Sequence, residues 1–91
     1  MSSSTLEAIV KHDARLDLLC CLVDGESLTV PQLSARTGRS LKAVSHNIKL
    51  LESIDLVEKA GEPGGREPRY GASLDGHPDW VRETVEEHRQ A

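Results

Sequence analysis

The chain has 91 residues, enough for one small domain, and its formal charge is −4, with 11 Lys and Arg against 15 Asp and Glu. Phe is absent and Tyr70 and Trp80 are the only aromatics, so the core must come from Leu, Ile and Val; a domain this small leaves much of its surface in water and invites a partner chain. Cys20 and Cys21 are adjacent, which excludes a disulfide framework, and no apolar run approaches the ~20 residues that span a bilayer.

Met-Ser-Ser-Ser lacks the positive start and apolar stretch of a signal peptide. A soluble cytoplasmic protein, with no membrane partner, is expected. Ser4-Thr5-Leu6-Glu7 fits the S-x-x-E capping box, in which the serine hydroxyl and the glutamate each satisfy an orphan backbone N–H. Leu6, Ile9 and Val10 recur at helical spacing, followed by Leu16, Leu19, Cys20 and Val23. This predicts one helix, or two short ones broken near Asp13, ending at Gly25. Leu18 and Leu22 widen the apolar face beyond one stripe. A helix apolar on several sides calls for cover on several sides, by the domain core and by a second subunit.

Adjacent side chains on a helix project about 100° apart, so Cys20 and Cys21 can neither chelate one ion well nor bridge each other. Among leucines they are expected as small apolar fillers. A thiol-based redox sensor is the competing reading.

Thr29-Val30-Pro31-Gln32 opens the next helix, with Thr29 as cap and Gln32 three residues on; Pro31 is tolerated because first-turn N–H groups lack intrahelical partners. Leu33 faces inward, and the helix stops at Thr37-Gly38. Ser40 caps a third helix, so at most four residues join the two, the length of a helix-turn-helix spanning residues 29–54. On the third helix, Leu41, Val44, Ile48 and Leu51 fall on one face. Lys42, Ser45, His46 and Lys49 share another at i, i+3, i+4 and i+7.

Charge follows the same division. Residues 36–70 hold seven Lys and Arg against five Asp and Glu, whereas 1–35 and 71–91 each hold two against five. The one net positive segment is the one carrying the polar strip, and phosphate contact needs local positive charge.

Leu56 to Ala60 reads as a short strand, Gly61 to Pro68 as a loop and Arg69 to Ala72 as a return strand, a hairpin over 56–72 with Arg66 and Arg69 on or beside its tip. The loop is too long for a tight two-residue turn and is expected to be mobile. Pro78 and Asp79 start a last helix over 78–89. Val81, Thr84, Val85 and His88 line one side of it, with Trp80 nearby and Glu83, Glu86 and Glu87 opposite. The fold class is mainly α with a small β-hairpin: one winged helix-turn-helix domain over 1–91. A helix-turn-helix followed by a wing places its second helix in the DNA major groove.

From Asp13 to Ala72 the chain resembles winged helix-turn-helix repressors of the ArsR type, and more distantly the MarR type. The likeness is carried by Asp13-Ala14-Arg15-Leu16 through Leu22, by Leu33 and Gly38, and by Val44-Ser45-His46-Asn47-Ile48-Lys49-Leu50-Leu51. Ile54-Asp55-Leu56-Val57-Glu58 then leads into a wing that closes at Tyr70. The resemblance implies base contacts from Ser40, Lys42, Ser45, His46 and Lys49, with Arg39 beside them and Arg66 and Arg69 in the wing.

Two departures matter. Metal-sensing members carry two cysteines where this chain has Thr29 and Pro31, so that metal site is absent. Leu41 stands at a position that is often polar, which shrinks the base-reading surface. His12, His77 and His88 are scattered without ligand spacing, and no metal or cofactor is expected. Gly64-Gly65 lies in a hairpin rather than before a phosphate-binding helix, and no nucleophile sits in a catalytic context, so no enzyme is expected.

The expected function is a sequence-specific DNA-binding regulator, a repressor, acting on double-stranded DNA. It would work as a homodimer through Leu6, Ile9 and Val10 of the first helix and Trp80, Val81 and Val85 of the last. A winged-helix module that binds a partner protein, favoured by the acidic net charge, is the rival. The residues identify no effector.

Overall fold

The structure is a computed structural model that describes residues 2–60 and 68–90, with side chains from Leu6 onward. Among these residues, five helices and one hairpin follow in the order α1 (Ser2–Val10), α2 (Asp13–Leu22), α3 (Val30–Thr37), α4 (Leu41–Ser53), β1 (Val57–Ala60), β2 (Arg69–Ala72) and α5 (Asp79–Gln90).

The first apolar stretch is two helices, not one. The chain extends at His12, whose ring Nδ1 caps α2 by accepting from the Ala14 N–H at 3.3 Å. α1 starts at Ser2, so Ser4 lies inside it rather than at its cap; three serines in a row offer several start points, and spacing cannot choose among them. Glu7 pairs instead with Lys11, one turn on, at 3.6 Å. α2 ends at Leu22, and Gly25, at φ +90°, closes the turn that follows.

α3 begins with the expected reciprocal cap. The Thr29 hydroxyl accepts from the Gln32 N–H, and the Gln32 side chain accepts from the Thr29 N–H at 2.9 Å. It ends at Gly38, whose φ of +72° lies in the left-handed region that residues with a Cβ resist. Gly38, Arg39 and Ser40 alone connect it to α4, where the Ser40 hydroxyl accepts from the Ala43 N–H at 3.1 Å. Asp55, at φ +62°, turns the chain from α4 into the hairpin, and its carbonyl accepts from the His77 ring at 2.9 Å.

β1 and β2 pair antiparallel with Val57 opposite Ala72 and Ala60 opposite Arg69. Leu28, in the α2–α3 connection, adds a bridge to β2: its N–H donates to the Tyr70 carbonyl at 3.0 Å and its carbonyl accepts from the Tyr70 N–H at 2.8 Å. One bridge has no alternation to read, so periodicity gives no sign of it. It ties the hairpin to the entrance of the helix-turn-helix.

The core is aliphatic, as the composition requires. Leu18, Leu19, Leu22, Leu33, Val44, Ile48, Leu51 and Leu56 are all fully buried or nearly so. α2 runs through the middle, and its several apolar faces are covered by α3, α4, α5 and the hairpin. A second subunit is not needed to cover them. Val10, Val81 and Val85, expected at a dimer seam, each have 0% of their surface exposed within the single chain. Side chains already enclosed by their own core offer nothing to a partner, and that expectation is corrected. Leu6, Ile9 and Trp80 are only half-buried. Leu41 differs in the other direction. Expected on the apolar face of α4, it is 55% exposed, because the first residue of the helix projects past the end of the core.

Candidate nucleic-acid interface

α4 separates core from solvent along its length. Val44, Ile48 and Leu51 are buried with Asn47 on one side; Lys42, His46 and Lys49 are exposed on the other, and Ser45 is half-buried at the edge. A helix that buries one stripe must present the opposite one to water or to a partner. The four polar residues grouped by spacing therefore do come together on one face.

Two polar networks hold this face in position. Asn47 sits at a core position of α4, where its Oδ1 accepts from Nε of Arg15 at 3.0 Å and its Nδ2 donates to the Ala43 carbonyl at 2.9 Å. Arg15 in turn donates from Nη1 to the Ile9 carbonyl at 3.1 Å. This one guanidinium thus joins the end of α1, α2 and the buried side of α4.

The second network centres on Asp17. One carboxylate oxygen accepts from Arg39 Nε at 3.1 Å and Nη2 at 2.7 Å, and the other lies 2.7 Å from Nε2 of His88 on α5. Burial pushes the Asp17 carboxyl up, but the His88 and Arg39 hydrogen bonds and charges outweigh it and hold it below the usual carboxylate range. Arg39 is the residue before the α4 cap, so this contact fixes the turn that aims α4. Arg39, expected at the DNA, is held by Asp17 in the free chain, and would have to leave a two-pronged ion pair to reach a phosphate.

Ser40 has its oxygen engaged as the cap but keeps its hydroxyl proton to donate. Arg69 is exposed on the hairpin, opposite Ala60 in the register. Arg66 and the wing loop lie outside the described residues.

Cations divide sharply by partner. Lys11, Arg36, Arg39, Arg82 and Arg89 all pair with carboxylates. Among the described residues, Lys42, Lys49, Lys59 and Arg69 have no acidic partner within 4.0 Å. All four belong to α4 or the hairpin; Arg15 of α2 also lacks a carboxylate partner, but its guanidinium is engaged by Asn47 and the Ile9 carbonyl. The sequence by itself assigned no functional role to Lys59, Arg15, Asp17 or Asn47. Asn47 within an apolar register and Asp17 between two leucines were the available signals, since a polar group facing a core needs a partner.

Cys20 and Cys21 border an open cleft of about 340 Å³ between α2, α3 and α5. Burial foremost pushes both thiols up from their ordinary range, and the Cys20 thiol points at the Val85 carbonyl, 3.6 Å away. Reactive sensor thiols are held down instead. Thr29 is buried as a helix cap, and among the described residues no three His, Cys, Asp or Glu side chains are placed to hold a metal ion. No helix in the described residues is long and apolar enough to cross a membrane.

Residues 10–70 match the HVO_A0114 family model. The chain belongs to the HVO_A0114 family. The matched stretch begins at the end of α1 and closes at Tyr70, so it takes in Arg15, Asp17, Arg39 and Asn47, α4 and most of the hairpin, and leaves Ile9, His88 and α5 outside. No curated protein matches this chain of the HVO_A0114 family.

Solved structures do. The transcriptional repressor BigR from Xylella fastidiosa aligns with a TM-score of 0.75 at 21% identity, over 93% of this chain and 81% of that one. The antimony-specific transcriptional repressor AntR aligns at 0.72 and 25% identity, over 93% and 71%. Reduced HlyU from Vibrio cholerae aligns at 0.68 and 26%, over 99% and 93%. The fold is the winged helix of transcriptional regulators.

Proposed function

We propose that this chain is a sequence-specific DNA-binding transcriptional regulator that reads duplex DNA with the exposed face of α4. The observation that carries the reading is the placement of unpaired charge. Lys42 and Lys49 flank His46 and Ser45 on the second helix of a helix-turn-helix, and Lys59 and Arg69 stand on the wing. Lysines and arginines without internal partners release counterions when they meet phosphate, which gives affinity. Ser45 and His46 supply donors and acceptors at the height of base edges, which gives specificity. The likeness to structures described as transcriptional repressors supports the same reading.

We further propose that the chain represses, that it lies nearer the ArsR type than the MarR type, and that it acts as a homodimer in the cytoplasm. The seam would use Leu6 and Ile9 of α1 with Trp80 of α5, which are half-buried. These surfaces adjoin, since the Lys11 ammonium lies over the Trp80 ring at 5.8 Å. A two-fold axis there would present two copies of α4 to half-sites one helical turn apart, or a multiple of it.

A salt titration tests the core of the proposal. Four cations with no acidic partner among the described residues, on each of two protomers, allow up to about eight phosphate contacts, so log Kobs should fall with log salt at a slope of roughly −4 to −7. One duplex selected from a random pool should also bind at least about 10³-fold tighter than bulk DNA. A flat salt response, or equal affinity for all sequences, overturns it.

A further inference from the structure

We propose that Leu41 reads the 5-methyl group of a thymine in the major groove, and so fixes one A·T pair in each half-site. The inference rests on the DNA-binding reading above and deepens it.

Leu41 is the only large apolar side chain that is exposed among the described residues, at 55%. It is the first residue of α4, the end of a recognition helix that approaches base edges. Its chain neighbours Ser40 and Lys42 are both exposed, so the apolar spot is one leucine wide. Protein interfaces need far more contiguous surface than that. At about 100° per residue, Leu41 stands about 20° from Ile48 and about 40° from Ser45 in helical projection. It continues the apolar stripe past the end of the core, one turn before Ser45, where it is exposed beside the start of the polar strip.

The major groove offers one apolar feature among its donors and acceptors, the thymine methyl, and apolar side chains are what contact it. A leucine flanked by a cap hydroxyl and a lysine matches that pattern: the lysine holds the backbone while the isobutyl group covers the methyl. Position 41 contributes an apolar contact of its own where a polar residue would contribute a hydrogen bond.

The test uses the full chain and a duplex it selects from a randomised oligonucleotide pool. Each thymine is replaced in turn by uracil, which removes the methyl and leaves every hydrogen-bonding group in place. The parent should lose affinity by about fourfold at one position per half-site, the effect of one methyl taken out of water. Leu41→Ser should bind the thymine and uracil duplexes equally at that position, and Leu41→Met should retain the preference. Circular dichroism of Leu41→Ser should match the parent, because the side chain is outside the core.

If the parent binds its selected duplex but treats thymine and uracil alike at every position, the inference fails while the DNA reading stands. A preference that survives in Leu41→Ser assigns the methyl contact to another residue and also refutes it. If no duplex binds with a salt-dependent affinity, the DNA reading fails and the inference falls with it.

Discussion

Replacing Asn47 with Ala removes the link between the buried side of α4 and the Arg15 guanidinium. The lost Arg15–Asn47 bond has a charged donor, the kind that contributes about 1.5–3 kcal/mol when well buried. Arg15 is half-buried and keeps its bond to the Ile9 carbonyl, so the lower part of that range applies. Ala recovers roughly 0.5 kcal/mol through its better helix propensity. The net cost should be about 1–2 kcal/mol, which for a domain of this size lowers the melting temperature by roughly 5–15 °C. Urea denaturation of Asn47→Ala, Arg15→Ala and the double variant closes a thermodynamic cycle. The two substitutions should be coupled by about 1 kcal/mol, since each removes the same bond. Additivity within about 0.3 kcal/mol would refute the network as a support of α4.

Three further outcomes are expected. Lys42→Ala and Lys49→Ala should each weaken binding to all duplexes and reduce the salt slope by about 1, whereas Ser45→Ala or His46→Ala should relax base preference by about 1–3 kcal/mol at one position; footprinting and titration of all four separate the two classes. Asp17 is held below its usual range in the folded chain, so its stabilising effect is complete above an unfolded value of about 3.9 and drains as pH falls through the lower folded value. The stability gap between parent and Asp17→Asn, about 1 kcal/mol near pH 6 after allowing for solvent screening, should therefore close between pH 5 and pH 2. A gap that stays constant in urea denaturation over that range would dismiss the ion pair. Trp80→Glu should give monomers in sedimentation while keeping the parent's helical signal, and a parent that is itself monomeric at micromolar concentration would remove the dimer proposal.

Much of this architecture could be read along the chain because its causes are local. Thr29 and Gln32 cap α3, Ser40 caps α4 and Gly38 turns between them through atoms no more than a few residues apart. The separation of Val44, Ile48 and Leu51 from Lys42, His46 and Lys49 follows from 3.6 residues per turn. What the sequence left open is what depends on residues far apart. Whether Val10, Val81 and Val85 meet the core or a partner depends on how α1 and α5 close over α2, and they close completely. Arg39 sits where a phosphate contact is expected, yet Asp17, 22 residues earlier, takes it, and His88, 71 residues beyond Asp17, completes the cluster. Leu41 obeys the apolar spacing of α4 but lies beyond the end of the core, because burial depends on what stands opposite a side chain, and spacing carries no record of that.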